Sequence, residues 1–309
     1  MSMKVAVLGA GAMGCLYGGS LAKIGHEVTF IDVDKRQIDC LNANGLRVET
    51  DAGAFSVRVS AGTASEISGR FDLLILFTKT IHSEEALASA RHLILPETLL
   101  LSMQNGLGNR ELMMRFAPEN RIIMGMTGYP ADPAGPGAVI SRGSSFTVIM
   151  NADGKLTDRV VKIAEEITSA GLNCEATPKV HGYIWEKASF NAAVNAICSI
   201  VRLPVGAMGE RGGRELAYAA ARETVETARA VDVDASWERV REMLDHAFRE
   251  HCHHRPSMLN DVLANRRTEA AFINGEVAKI ASKAGRRAVV NETLYRLIDI
   301  IQNSYDVRL

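Results

Sequence analysis

Three polar side chains within one apolar stretch have the types and spacing to do chemistry together. In His181-Gly182-Tyr183-Ile184-Trp185-Glu186-Lys187-Ala188-Ser189-Phe190-Asn191-Ala192-Ala193-Val194-Asn195, the residues Lys187, Asn191 and Asn195 recur every four positions. That interval places them on one face of a helix. A solvated stripe is ordinarily built from Glu, Lys and Arg, whereas asparagine is a mediocre helix former that costs propensity at each use. One ammonium and two amides make a hydrogen-bonding face for a small, oxygen-rich molecule, and the amides suit a carboxylate or a hydroxyl because they both donate and accept. When hydride is added to a carbonyl, the oxygen becomes negative and needs a proton. Lys187 has the charge and the proton to meet both needs, and partial burial would lower its pKa toward the working range. The same spacing also fits a polar seam between packed helices, and spacing alone leaves both open.

A hydride carrier is indicated at the start of the chain. Val5-Ala6-Val7-Leu8-Gly9-Ala10-Gly11-Ala12-Met13-Gly14 has the pattern of a buried strand that turns tightly into a helix. Gly9 permits the turn, Gly11 lacks the Cβ that would hold the backbone away from a pyrophosphate, and Gly14 lets the helix lie close on the strand. The N–H groups at that helix start face an anion. A second strand, Glu27–Ile31, ends at Asp32, eighteen positions after Gly14, where an acid grips a ribose hydroxyl. The expected cofactor-binding residues are therefore Gly9, Ala10, Gly11, Ala12, Met13, Gly14 and Asp32.

The elements that must position these groups follow from periodicity. Asp34 caps a helix to about Asn44, and Leu46–Glu49 with Phe55–Val59 form a hairpin around Asp51-Ala52-Gly53. Phe71–Phe77 and Leu99–Met103 are buried strands that empty into Thr78-Lys79-Thr80 and Gln104-Asn105-Gly106-Leu107-Gly108. Ligands of open parallel sheets bind off the carboxyl ends of the strands, so Lys79 and Asn105 share the rim of the glycine turn. Strands at 122–125, 138–140 and 145–150, a helix at 156–170 and a closing strand at 173–177 complete an α/β pattern. Beyond Pro178 every segment is helical: 180–201, 213–231, 235–251, 258–264, 267–284 and 290–303. The expected fold is a Rossmann-type doubly wound domain over residues 1–177 followed by an all-helical substrate and catalytic domain over 178–309.

Composition narrows the partners. The chain has 309 residues, 47% hydrophobic and 23% charged, with a formal net charge of -1 and no long basic run. Nothing electrostatic points to nucleic acid or an anionic membrane, and small molecules are the expected ligands. Five cysteines stand singly with no CxxC pair, as expected of reduced thiols in a cytoplasmic protein. His251-Cys252-His253-His254 lacks further ligands at metal spacing, so no metal site is expected.

The motifs in this order resemble those of the ketopantoate reductase (2-dehydropantoate 2-reductase) family, within the 6-phosphogluconate dehydrogenase C-terminal-like superfamily. The resemblance runs from Lys4 to about Arg296. It rests on Gly9–Gly14, Thr78-Lys79, Gln104-Asn105-Gly106, Trp185-Glu186-Lys187 with Asn191 and Asn195, Pro256–Asp261, and Arg267-Thr268-Glu269 followed by Ile273-Asn274-Gly275. It implies reduction of 2-dehydropantoate to (R)-pantoate on the route to pantothenate and coenzyme A, usually with NADPH, and it allows a homodimer. By the same resemblance Lys187 is the proton donor, and Asn191, Asn195 and Ser257 hold the substrate. Asn105 touches substrate and nicotinamide ribose, while Lys79 and Glu269 bind cofactor.

Some positions depart from the pattern. Where NADPH users carry an arginine after the second strand, this chain has Asp32-Val33. An aspartate there accepts from a free 2′-hydroxyl and repels a 2′-phosphate, so NADH is favoured over NADPH, although Lys35 and Arg36 lie near. Val205 stands where some members place a further substrate-binding asparagine, His254 stands where asparagine is common, and Ala271 replaces a frequent acid. These changes leave open a paralogue for another 2-oxo acid. A non-catalytic NAD(H)-sensing module is the alternative from a different class.

Overall fold

The computed structural model describes residues 2–210 and 212–307. By internal contacts the chain divides into two units, Met1–Gln104 with Asn109–Val180, and Asn105–Gly108 with His181–Leu309.

The first unit is built on β1 (Lys4–Leu8), α1 (Ala12–Lys23), β2 (Glu27–Ile31), α2 (Lys35–Asn44), β3 (Leu46–Thr50), β4 (Gly53–Val57), β5 (Ser60–Gly62), β6 (Leu73–Leu76), α3 (Ser83–Ser89), β7 (Leu99–Ser102), α4 (Asn109–Met113), β8 (Ile122–Thr127), β9 (Asp132–Pro133), β10 (Ala138–Ile140), β11 (Thr147–Asn151), α5 (Asp158–Ser169) and β12 (Cys174–Ala176). Eight strands form the main sheet in the order β12-β11-β8-β7-β6-β1-β2-β5, parallel except where β11 meets β8. Strand order reverses beside β1, between β2 and β6, which is the switch point where open α/β sheets bind ligands. The central strands are apolar and buried on both faces: Val5–Leu8, Leu73–Leu76 and Leu99–Leu101 lie wholly in the core.

A second sheet, β4-β3-β10-β9, gathers the hairpin and Ala138–Ile140. The sequence marks these strands but not their destination, because alternation says which face is buried and not what buries it. They bury α1, whose residues Gly14 to Leu21 are all shielded from solvent. Helix α1 is thus packed on two sides, which is why it shows no amphipathic stripe. A Cβ on Gly18 would stand 2.5 Å from the Phe30 ring of β2, and one on Gly19 would stand 2.7 Å from a Val48 methyl of β3.

Helices make up the second unit: α6 (Val180–Val201), α7 (Val205–Glu210), α8 (Gly213–Ala230), α9 (Trp237–Glu250), α10 (Ser257–Leu263), α11 (Glu276–Lys283) and α12 (Val289–Gln302). They enclose a core that includes Ala188, Ala192, Ala193 and Ala196 of α6, Ala217, Ala220 and Ala221 of α8, and Leu107 from the loop after β7. Two local features depart from expectation. Helix α7 holds two glycines in six residues, too short and too glycine-rich to give a periodic signal. The helix expected at 267–284 is instead a π-turn, Ala271–Gly275, running into α11.

The glycine turn makes a stability prediction. A Cβ on Gly14 would lie 2.0 Å from the Gly9 carbonyl oxygen, and one on Gly11 would meet nothing within 4 Å. Gly14→Ala should cost about 1–3 kcal/mol or more, because backbone has to move, while Gly11→Ala should stay within about 1 kcal/mol. Thermal unfolding of the two variants checks the contrast.

Candidate active site

In the first unit the glycine turn is fastened on both sides of one residue, Ala10. Gly9 adopts φ +103° and lies so close to the exit of β6 that a Cβ would fall 2.6 Å from the Thr78 nitrogen. The Ala10 N–H donates to Asp32 Oδ2 at 2.6 Å, while Asp32 Oδ1 accepts from Val33 N–H at 2.7 Å and Asp34 N–H at 2.9 Å. The Ala10 carbonyl accepts from Gln37 Nε2 at 2.9 Å, and Gln37 Oε1 accepts from Gly137 N–H at 2.9 Å. Gln37 belongs to no motif, and no spacing in the sequence singles it out. Burial pushes the neighbouring Cys15 thiol up to about 12, so it stays protonated and packs. Helix α1 begins at Gly11 with no side chain capping its first N–H groups and no acid in its first turn.

These features fit a dinucleotide. The N-terminus of a twelve-residue helix is left to an outside anion, and the ground before Gly11 is open. Asp32 spends three acceptor sites on the backbone, and a carboxylate has about four, so one remains for a ribose hydroxyl. The two cations that follow are engaged by neighbours. Lys35 Nζ lies 3.1 Å from Asp39 Oδ1, and Arg36 Nε lies 3.6 Å from Asp34 Oδ1. Lys79 is half-buried at the head of the 3₁₀ turn Thr80–His82. Gln104 holds that rim together: its amide nitrogen donates to the Thr78 carbonyl at 2.5 Å and to Ser83 Oγ at 2.7 Å.

In the second unit α6 supplies the face. Lys187 is half-buried, and Asn191 and Asn195 are 8% and 5% exposed. Asn191 Nδ2 reaches Asn105 Oδ1 at 3.5 Å, so the Gln104-Asn105-Gly106 segment does bring an amide to this face. The Asn195 amide makes no hydrogen bond among the described residues. Buried amides are normally satisfied, so these groups hold hydrogen-bonding capacity for a ligand. Burial lowers Lys187 to about 8, and the negative charge of Glu269 acts the other way. At that value the ammonium gives and takes a proton near neutrality. Glu269 is half-buried just before the π-turn. Ser257 is the first residue of α10, preceded by Pro256; it is exposed, and among the described residues no hydrogen bond joins it to Lys187, Asn191, Asn195, Asn105 or Glu269.

Glu186, beside Lys187, is a buried acid with a separate duty. Its carboxylate accepts from the Ser236 N–H at 2.8 Å and takes both Arg239 Nε, at 2.9 Å, and Nη2. That bidentate pair ties α6 to the start of α9 and fixes which face α6 turns outward. Among the described residues no group of three or more His, Cys, Asp or Glu is placed to hold a metal, all five cysteines are free thiols, and no helix is long and apolar enough to cross a membrane.

Comparison with known proteins decides the family. Residues 5–154 match the ketopantoate reductase PanE/ApbA family, and residues 179–302 match its C-terminal region. The chain belongs to the ketopantoate reductase family. The 2-dehydropantoate 2-reductase of Pyrococcus horikoshii is 33% identical over 300 residues, 96% of each chain, and that of Streptococcus pyogenes is 30% identical over 285 residues, 92% of each. Among solved structures, D-mandelate dehydrogenase with NADH and anilino(oxo)acetate is similar at a TM-score of 0.92 and 27% identity, covering 99% of this chain and 100% of that one. A PanE/ApbA family ketopantoate reductase from Ralstonia eutropha is similar at 0.89 and 29% identity, covering 98% and 99%. This ketopantoate reductase family member is accordingly an oxidoreductase of that class, with a nicotinamide cofactor.

The electrostatics of Lys187 are open to direct measurement. Its reactivity toward an acylating reagent, followed by mass spectrometry across pH, should rise through about 8 as the amine loses its proton. In Glu269→Gln the charge that favours the ammonium is gone, so the same rise should occur at lower pH.

Proposed function

We propose that the protein reduces 2-dehydropantoate to (R)-pantoate with NADH, on the route to pantothenate and coenzyme A. The observation that carries this reading is the face of α6, where buried amides with unspent hydrogen-bonding capacity stand beside an ammonium lowered to about 8. A reduced nicotinamide bound at the first unit's glycine turn would supply hydride to the substrate's C2. Lys187 donates its proton to the oxygen that becomes negative, and its charge stabilises that oxygen as the charge develops. Asn191, Asn195 and Ser257 hold the carboxylate and the hydroxyl, and Asn105 adds a further amide. In the first unit the N–H groups of Ala12, Met13 and Gly14 receive the pyrophosphate, with Lys79 on the same rim. Glu269 serves twice, as a cofactor contact and as the charge that keeps Lys187 protonated at working pH.

The preference for NADH is supported by the acids around the end of β2. Asp32 stands at the end of β2 with one acceptor site unspent on backbone, Val33 is 94% exposed and without charge, and Lys35 and Arg36 are paired with Asp39 and Asp34. A 2′-phosphate would meet a carboxylate and no unengaged cation among these residues. The similar D-mandelate dehydrogenase structures were solved with NADH.

A second reading keeps the chemistry and changes the acid. Val205 is buried in the helical core, with its N–H on the His254 carbonyl at 3.1 Å. Its side chain offers no hydrogen bond where the family resemblance puts an asparagine in some members. An oxo acid with an apolar substituent at C3 suits that change, in line with the similarity to a D-mandelate dehydrogenase bound to anilino(oxo)acetate.

Turnover decides between the readings. With NADH, the protein should oxidise cofactor in the presence of 2-dehydropantoate; faster turnover of an aryl-substituted 2-oxo acid would favour the second, and no turnover of either would sink both. Lys187→Ala should lower kcat by about 10²–10⁴-fold with little change in NADH affinity. Reductive kcat should fall as pH rises through about 8, because the donor must be protonated. Val33→Arg should raise kcat/KM for NADPH by about tenfold, the worth of one charge-assisted contact to phosphate, and leave NADH kinetics unchanged.

A further inference from the structure

Directly after Glu269 the chain makes its π-turn, in which the Gly275 N–H bonds to the Ala270 carbonyl five residues back, at 2.9 Å. The extra residue re-aims two groups. The Phe272 carbonyl accepts the Leu107 N–H at 2.8 Å, and Gly106, at φ +86°, lies so close that a Cβ there would come 2.7 Å from the same oxygen. Asn274 turns inward, fully buried, and its amide nitrogen donates to the Ala192 carbonyl at 2.9 Å and to Asn291 Oδ1 at 3.0 Å. Ala192 sits between Asn191 and Asn195 on α6.

The network continues to a charge. Asn291 Nδ2 donates to the Ala220 carbonyl at 2.9 Å and to Glu223 Oε2 at 3.1 Å, and Glu223 also takes the N–H groups of Val290 and Asn291 at the start of α12, each at 3.0 Å. An ionised carboxylate only accepts, so Glu223 fixes which way the Asn291 amide faces, and Asn291 in turn fixes Asn274. Asn274 Oδ1, by contrast, is buried with no partner among the described residues. A buried acceptor left unmade is costly, so this side chain is present for its two donors.

We propose that Asn274 is a positioning residue for the reduction: it ties the π-turn that follows Glu269, and the loop that carries Asn105, to the stretch of α6 that carries Lys187, Asn191 and Asn195. The proposal rests on the assignment of Lys187 as proton donor. One short turn bonds on one side to the Asn105 loop through Phe272 and on the other to α6 through Asn274, and it continues without a break from Glu269. Cutting the Asn274 link releases α6 from two of the groups that act with it.

The test uses the full chain with Asn274→Ala and Asn274→Asp, Gly106→Ala as a disturbance from the other side of the same turn, and Leu244→Val as a control that opens a cavity in the helical core on α9 and is bonded to no member of the Glu223-Asn291-Asn274 chain. Three quantities are read: the thermal midpoint, kcat and KM with NADH and 2-dehydropantoate, and the pH at which Lys187 becomes acylable. The Asn274 variants and Gly106→Ala should lose about 10- to 100-fold in kcat, the scale of a small misplacement. In them the Lys187 titration should move to lower pH, as Glu269 is held less firmly against it. Leu244→Val should lower the midpoint and leave the titration in place. An unchanged titration in the folded variants, or an equal shift in Leu244→Val, overturns the proposal; should the Asn274 variants not fold, Gly106→Ala decides the matter by the same readout. Lys187 titration is read without turnover, so if the unsubstituted protein reduces no oxo acid the reaction assignment fails while the positioning link is still decided.

Discussion

Everything at the candidate site follows from taking one ammonium partly out of water while keeping a carboxylate near it. Lys187 belongs to a helix whose alanines at 188, 192, 193 and 196 are buried in the core of the second unit. Small residues let neighbouring helices approach the α6 backbone closely, and that packing strips solvent from the lysine. Burial alone would drive the amine neutral; Glu269 opposes it, and the balance falls at about 8. The helix is held in the rotation that turns this lysine outward by the bidentate grip of Arg239 on Glu186, one residue earlier. A core helix and a reactive face are therefore the same object, and its packing sets its chemistry.

The first unit poses a different problem, that of holding a glycine turn rigid. A tight turn cannot be stiffened by its own side chains, since glycines make it possible. Stiffness comes from around it: Ala10 is gripped through its N–H by Asp32 and through its carbonyl by Gln37. Asp32 is thus both the acid expected at a ribose and a brace for the turn, and replacing it would disturb two functions together.

Much of this was legible in the residues. The glycine turn, Asp32 and the four-residue spacing on α6 announce themselves because their chemistry depends on neighbours in sequence, and a hydrogen-bonding face or a helix start is a local object. The segment carrying Asn105 was placed on a strand rim by pattern, yet its contacts lie with the helical unit, through Leu107 and Phe272. Gln37, Gln104 and the Glu223-Asn291-Asn274 chain were not legible, since each acts through partners distant in sequence and no spacing records such a bond. The helix expected at 267–284 failed for a related reason: one extra residue in a π-turn leaves the apolar period nearly intact while changing where every side chain points. Ser257 and Glu269 rest only on family resemblance, and the charge that Glu269 exerts on Lys187 is a separate feature that no spacing in the sequence records.

The two-sided burial of α1 carries a consequence for anyone seeking a hardier version of this enzyme. Exchanging glycine for alanine inside a helix is a standard route to greater robustness, worth about 0.5–1 kcal/mol at a free position. Gly18 and Gly19 look like two such opportunities in the primary structure. They are instead the clearances through which one layer of strands approaches from each side, so that filling them wedges the layers apart. The helix whose N-terminus is left without a side-chain cap is weak in its own right, and its rigidity is borrowed from the sheets that enclose it.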